Sequence, residues 1–173
     1  MSAAQPHERL RSLSDVDDAP LHVVLVEPEI PPNTGNVARL CAATGCALHL
    51  VKPLGFRIDD RELKRAGLDY WHELGVVMHD SLEAFMEATS SRSRWFFSKR
   101  AERTYATAPF ATGDMLIFGC ETKGLPEWLV ERERARMLRI PMRPDSVRSI
   151  NLSTAVGIAA YGALTSLRFP GLL

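Results

Sequence analysis

Short apolar runs that break into polar loops rich in proline or glycine, each followed by a helical pattern, recur along this chain, and that alternation constrains its fold most. Leu21–Val26 is a β-branched-rich run, Ala47–Val51 resumes in the same manner, and Trp95–Phe97, Met115–Phe118 and Leu138–Ile140 are further strand candidates. Between them lie helical stretches: one that starts at Thr34 and closes at Gly45, and others near 59–66, 81–88 and 127–136. Strands alternating with helices predict an α/β domain on a parallel sheet.

At 173 residues the chain has the length of a single domain, expected over 20–173. Residues 1–19 mix Ser, Asp, Gln, Pro and Arg without apolar periodicity and are expected to form a disordered arm. The uncharged run from Ser149 to Leu167 has nearly the length of a membrane span, but Asn151, Ser153, Thr154, Thr165 and Ser166 would need partners in lipid. It is expected instead as a buried helix capped by Ser153 or Thr154. Ala155, Ala159 and Ala163 give that helix a small-residue face, suited to close approach by its own sheet or by a second subunit, and a homodimer burying it is expected.

Acidic and basic side chains balance at 21 each, which excludes a uniformly basic nucleic-acid coat. The balance hides segregation. Arg92, Arg94, Lys99, Arg100 and Arg103 stand against Glu102, and Arg132, Arg134, Arg136, Arg139, Arg143 and Arg148 against Glu133 and Asp145. Cys41, Cys46 and Cys120 form no CxxC pair, no secretory pattern opens the chain, and the histidines at 7, 22, 49, 72 and 79 lack metal-ligand spacing. A cytoplasmic protein without metal or membrane attachment is expected.

Three loops after predicted strands have the composition of binding loops, and open α/β sheets bind ligands at that edge. The first, Glu27-Pro28-Glu29-Ile30-Pro31-Pro32-Asn33-Thr34-Gly35-Asn36, is stiffened by proline, offers Asn33 as a candidate helix cap, and leads to Arg39 one turn inside the helix. The second, Gly119-Cys120-Glu121-Thr122-Lys123-Gly124-Leu125-Pro126, has two glycines four residues apart, but Leu125 and Pro126 follow where a phosphate loop needs Lys and Ser or Thr. No G-x-G-x-x-G occurs anywhere. The third runs from Ile140-Pro141-Met142 to Asn151-Leu152-Ser153, long and arginine-bearing for a helix entrance, with Ser149 and Asn151 as further capping candidates.

Together the three loops resemble the SPOUT class of knotted methyltransferases, and within it the small tRNA 2′-O-methyltransferases of the wobble nucleotide. The resemblance extends from about Leu21 to Leu173, and Arg65-Ala66-Gly67-Leu68-Asp69-Tyr70 looks like a further family segment. It implies a parallel-sheet α/β fold with a deep C-terminal trefoil knot, a homodimer, and S-adenosylmethionine as cofactor. The implied substrate is the tRNA anticodon loop, methylated at position 34 on cytidine or modified uridine, with leucine isoacceptors as the tRNA pool.

Matched by position, Phe97, Gly119, Ile140 and Ser149 are implied to contact the cofactor. Asn33, Asn36, Arg39, Glu121 and Asn151 are implied to surround the methyl acceptor, and Tyr161 to serve tRNA binding or catalysis. Arg39 is the family's candidate base. A guanidinium presents donors only, so an orienting role is the expectation here. Cys120 and Lys123 depart from the family's usual Pro and Arg, Thr154 replaces an Asn, and Val147 is an additional residue in the third loop. Two rivals stand beside this reading: 2′-O-methylation at another tRNA or rRNA position, and an RNA-binding module without chemistry.

Overall fold

The computed structural model describes residues 10–58, 74, 76–145 and 147–173. The helix expected near 59–66 and the segment Arg65–Tyr70 lie outside the described residues. The five expected strands are present as β1 (Leu21–Val26), β2 (Ala47–Val51), β4 (Arg94–Phe97), β5 (Asp114–Phe118) and β6 (Met137–Leu138). A sixth, β3 (Val76–His79), was not foreseen, because four residues are too few for a periodic signal. Among the described residues they form one sheet in the order β3-β2-β1-β5-β4-β6, with every pair parallel.

Every residue of β1, β2 and β5 is buried, as a sheet covered on both faces requires. The strand residues divide with period two. Leu21, Val23 and Leu25 face a core shared with α1 (Pro31–Thr44) and α4 (Leu152–Ser166), whereas Val24, Val26, Phe96 and Ile117 face Phe85 of α2 (Leu82–Ala88) and Leu129 of α3 (Glu127–Arg132).

Helix α1 starts at Pro31, three residues before the expected Thr34, because proline fits the first helical turn, where its missing N–H has no partner to lose. Asn33, the candidate cap, therefore lies inside the helix, and the N-cap is Ile30, whose side chain cannot cap. The helix ends at Gly45 in the left-handed conformation, φ 71°, as expected. Helix α4 is capped by Asn151, whose Oδ1 accepts from the N–H groups of Ser153 at 2.9 Å and Thr154 at 3.4 Å, so Ser153 and Thr154 receive the cap instead of providing it.

One expectation is corrected outright and another is narrowed. Residues 10–19 are not a disordered arm: Arg11 N donates to Val76 O at 2.8 Å, Leu13–Val16 form a 3₁₀ turn, and Val16 packs on Ala47 and Val77, while residues 1–9 lie outside the described residues. Of the two settings expected for the small-residue face of α4, its own sheet takes Ala159 and Ala163, while Ala155 is half-buried. Ala159 and Ala163 are fully buried within the chain, in the core they share with α1 and β1, because small side chains let the helix sit close to its own sheet.

Candidate active site

The three loops converge at the C-terminal ends of β1, β5 and β6. Gly119 follows β5, and a Cβ built there would lie 2.0 Å from the Gly124 carbonyl carbon, so only glycine lets the loop fold back on itself. Gly124 N closes the turn on Cys120 O at 2.9 Å, with Gly124 at φ 71°. Two carboxylates then clasp this loop to the first. Glu121 accepts from Glu29 N at 2.7 Å, Ile30 N at 3.1 Å and Asn33 Nδ2 at 3.0 Å, and so supplies the N-terminal acceptor that α1 lacks of its own. Glu29 returns the contact, accepting from Thr122 N at 3.0 Å and Thr122 Oγ1 at 2.9 Å. The third loop joins through Asn151, whose Nδ2 donates to Asn33 Oδ1 at 3.0 Å.

These contacts frame a cavity of about 830 Å³. Phe97 and Phe118, stacked with ring centroids 4.6 Å apart, stand on one flank. Phe97, Gly119, Ile140 and Ser149 all line it, and so do Asn33, Glu121 and Asn151. Lys99 lines it as well, its Nζ donating to Arg148 O at 3.3 Å. Val147 is 66% exposed, while Arg148 and Ser149 both line the cavity.

The other family-matched residues lie apart. Asn36 and Arg39 are exposed on α1 and do not line the cavity. At 1.5 Å rise per residue Arg39 sits about 9 Å beyond Asn33 along the helix, although helical side chains lean back toward the N-terminus and so toward the mouth. Tyr161 is 46% exposed on α4, away from the cavity, with Phe169 at 6.3 Å between centroids. Glu29 and Thr122 were missed as candidates. A carboxylate in the first loop and a hydroxyl next to Glu121 were visible in the sequence, but their pairing across 93 positions was not.

Residues 20–161 match the SpoU rRNA Methylase family, and the chain belongs to that family. It is 46% identical over 151 residues to the tRNA (cytidine(34)-2'-O)-methyltransferase of Saccharophagus degradans, covering 87% of this chain and 97% of the relative. To the protein of that name from Escherichia coli K12 it is 45% identical over 152 residues, covering 87% and 96%. A solved structure described as "Structural insights into the 2-OH methylation of C/U34 on tRNA" superposes with a TM-score of 0.80 at 52% identity, covering 86% of this chain and 96% of that one.

Proposed function

We propose that this protein transfers the methyl group of S-adenosylmethionine to the ribose 2′-hydroxyl of nucleotide 34 in the tRNA anticodon loop, on cytidine or modified uridine, with leucine isoacceptors as the pool. The observation that carries this reading is the convergence of Phe97, Gly119, Ile140 and Ser149 in one cavity with the Asn33–Glu121–Asn151 network. The activity named for relatives that share close to half their residues with this chain supports it.

The cavity fits the cofactor. Its volume lies within the range of about 300–1,000 Å³ typical of ligand sites. The paired rings of Phe97 and Phe118 offer an apolar flank for a nucleobase, and the bare backbone at Gly119 brings peptide groups to the wall. When bound, S-adenosylmethionine supplies a methyl group on a positively charged sulfur.

The protein's task is then alignment, and holding two reactants in near-attack geometry contributes roughly 7–11 kcal/mol. Glu121 has three donors on its two oxygens, so it holds the first loop against the second and is a positioning residue. Asn151 is tied in the same way through Asn33 and its own helix cap. Arg39, with Asn36 one turn before it, orients a phosphate or the acceptor hydroxyl through its planar donor fork. Tyr161 contacts the tRNA. The family reading extends to a deep trefoil knot in the C-terminal part, a homodimer and work in the cytoplasm; the dimer needs a surface other than Ala159 and Ala163.

Mass spectrometry of tRNA nucleosides from cells lacking the protein tests the reading: 2′-O-methylation at position 34 disappears. Loss at another tRNA or rRNA position instead overturns the wobble assignment. Calorimetry with S-adenosylmethionine separates enzyme from bare RNA-binding module, since absence of binding overturns the former. Light scattering at micromolar concentration returns a dimer mass.

A further inference from the structure

Three arginines of the basic run at residues 92–103 are engaged within the fold. Arg92 pairs with Asp17, Arg94 donates to Met86 O at 3.0 Å, and Arg100 is held by Glu127 in a two-pronged ion pair. Arg103 differs. Its guanidinium carbon lies 5.4 Å from the centroid of the Trp95 ring, and that of Arg136 lies 4.7 Å from the same centroid. Among the described residues neither makes an ion pair. Arg103 donates to Thr107 O at 2.7 Å, and the carboxylate behind the indole, Asp114, is buried and already accepts from Trp95 Nε1 and Ala111 N, each at 2.9 Å. Two like charges on one indole without an acidic partner invite an outside anion, and the ring holds their planar forks in a fixed orientation.

Their surroundings extend the charge toward the cavity. β6 pairs with β4 on one edge, the next residue, Arg139, bridges in parallel to Thr104 on the other, and Arg134 and Arg139 are exposed beside Arg136. Arg139 N donates to Arg103 O at 2.8 Å, which ties the two basic segments together. The next residue, Ile140, lines the cavity, and Arg136 is at most about 14 Å from it along extended chain. We propose that Arg103 and Arg136, held on Trp95 beside Arg134 and Arg139, form a docking strip for the ribose-phosphate backbone of single-stranded RNA flanking the nucleotide in the cavity. The proposal rests on the RNA-methylating reading above. It adds which edge of the sheet receives the chain and which arginines meet its phosphates.

Fluorescence anisotropy of a labelled anticodon-loop RNA and of an oligouridylate of equal length, each over a salt series, tests the strip on the full-length protein. Arg103→Gln/Arg136→Gln should lower the slope of log K against log salt by about 1.4 on both RNAs, from about 0.7 per phosphate contact on a single strand. Arg134→Gln/Arg139→Gln, at exposed positions, should lower it likewise and keeps the test informative if the first pair disturbs Trp95. Arg103→Lys/Arg136→Lys should restore the slope, and S-adenosylmethionine affinity by calorimetry should not move in any variant. An unchanged slope in both Gln pairs overturns the strip, and so does a Lys pair that fails as fully as the Gln pair, which is what a packing role gives. A lowered slope on both RNAs with position 34 still methylated in cells lacking the protein keeps the strip and overturns the wobble reading.

Discussion

At the C-terminal edge of the sheet, Glu121 and Glu29 gather backbone and side-chain donors from loops some ninety residues apart, whereas across β1, β2 and β3 three buried histidines are hydrogen-bonded, among the described residues, to one another and to one arginine. The first network is built on carboxylate acceptors that bridge two loops. The second is built on neutral rings that must stay uncharged. Arg92 Nη1 lies 3.3 Å from His22 Nε2, and a guanidinium only donates, so that nitrogen accepts and His22 carries its proton on Nδ1. His22 Nδ1 then donates to His49 Nε2 at 2.9 Å, and His49 Nδ1 to His79 Nε2 at 3.0 Å. One arginine thus sets the proton order of the ladder. Networks of the first kind position a site, and networks of the second kind make the fold depend on pH.

The largest expected effect breaks the ladder with protons. Burial, aided by the Arg92 charge, pushes the His22 pKa down to about 4, and burial with the neighbouring His22 and His79 holds His49 well below the ordinary range. The unfolded chain therefore binds protons that the folded one does not, so the histidine contribution to stability is constant above about pH 6.5 and falls between there and pH 4. For His22 alone the loss amounts to about 3 kcal/mol. Partners Ser12, Lys52 and Arg100 hold Asp15, Asp80 and Glu127 below their usual values, so those carboxylates give up their share only at more acid pH. Urea unfolding at pH 7.5, 5.5 and 4.5 reads the effect, and a flat profile across that window would break the comparison.

The next effect breaks the site and leaves the ladder whole. Arg39→Lys keeps the charge but loses the bidentate fork, and methyl transfer in a single turnover should fall at least about a hundredfold, equivalent to roughly 2.7 kcal/mol. S-adenosylmethionine affinity by calorimetry should be nearly unchanged, since Arg39 does not line the cavity. A wild-type rate would make Arg39 a helix-surface cation and leave orientation to Asn151.

The two networks were not equally legible in the sequence. Loop residues such as Gly119, Asn33 and Asn151 stand in compact motifs at strand ends, so their gathering at one edge followed from the alternation of strands and helices. The ladder's members are scattered at 22, 49 and 79, and their meeting depends on register. His22 is opposite Ala47 and His49 opposite Val77, so each ring meets the residue two further along the neighbouring strand, on the same face. That register includes β3, which carries too few residues to announce itself. For the same reason the packing of Leu10 and Val16 against β2 and β3 could not be read from a polar, aperiodic segment.

A smaller effect sharpens the contrast at the ladder's outer end. Deleting residues 1–19, harmless had they been a disordered arm, removes Val16 from its contact with Ala47 and Val77 and Asp17 from Arg92. Burying a valine side chain contributes about 1.5–2 kcal/mol, and unfolding by urea should show a loss of that order. Cofactor affinity should hold, because the cavity is lined from Ile30 onward.

The smallest effect separates the networks by their response to charge. Glu121→Gln keeps the shape of the clasp, but Gln offers one acceptor oxygen where Glu offers two. If that oxygen stays with Ile30 N and Asn33 Nδ2, the new amide donor faces Glu29 N–H, donor against donor. Replacing a charge-assisted hydrogen bond by a neutral or missing one should cost about 1 kcal/mol, a fall in Tm of about 2–4 °C for a chain of this size. The start of α1 then loses the negative charge at its N-terminus, and Asn33 and Asn151 lose their common anchor, so single-turnover methylation should fall further than the stability does. The loss of stability between pH 6.5 and 4 should be the same as in the wild type, because no histidine of the ladder touches Glu121. A variant whose acid profile changed along with its activity would show that the two networks are one.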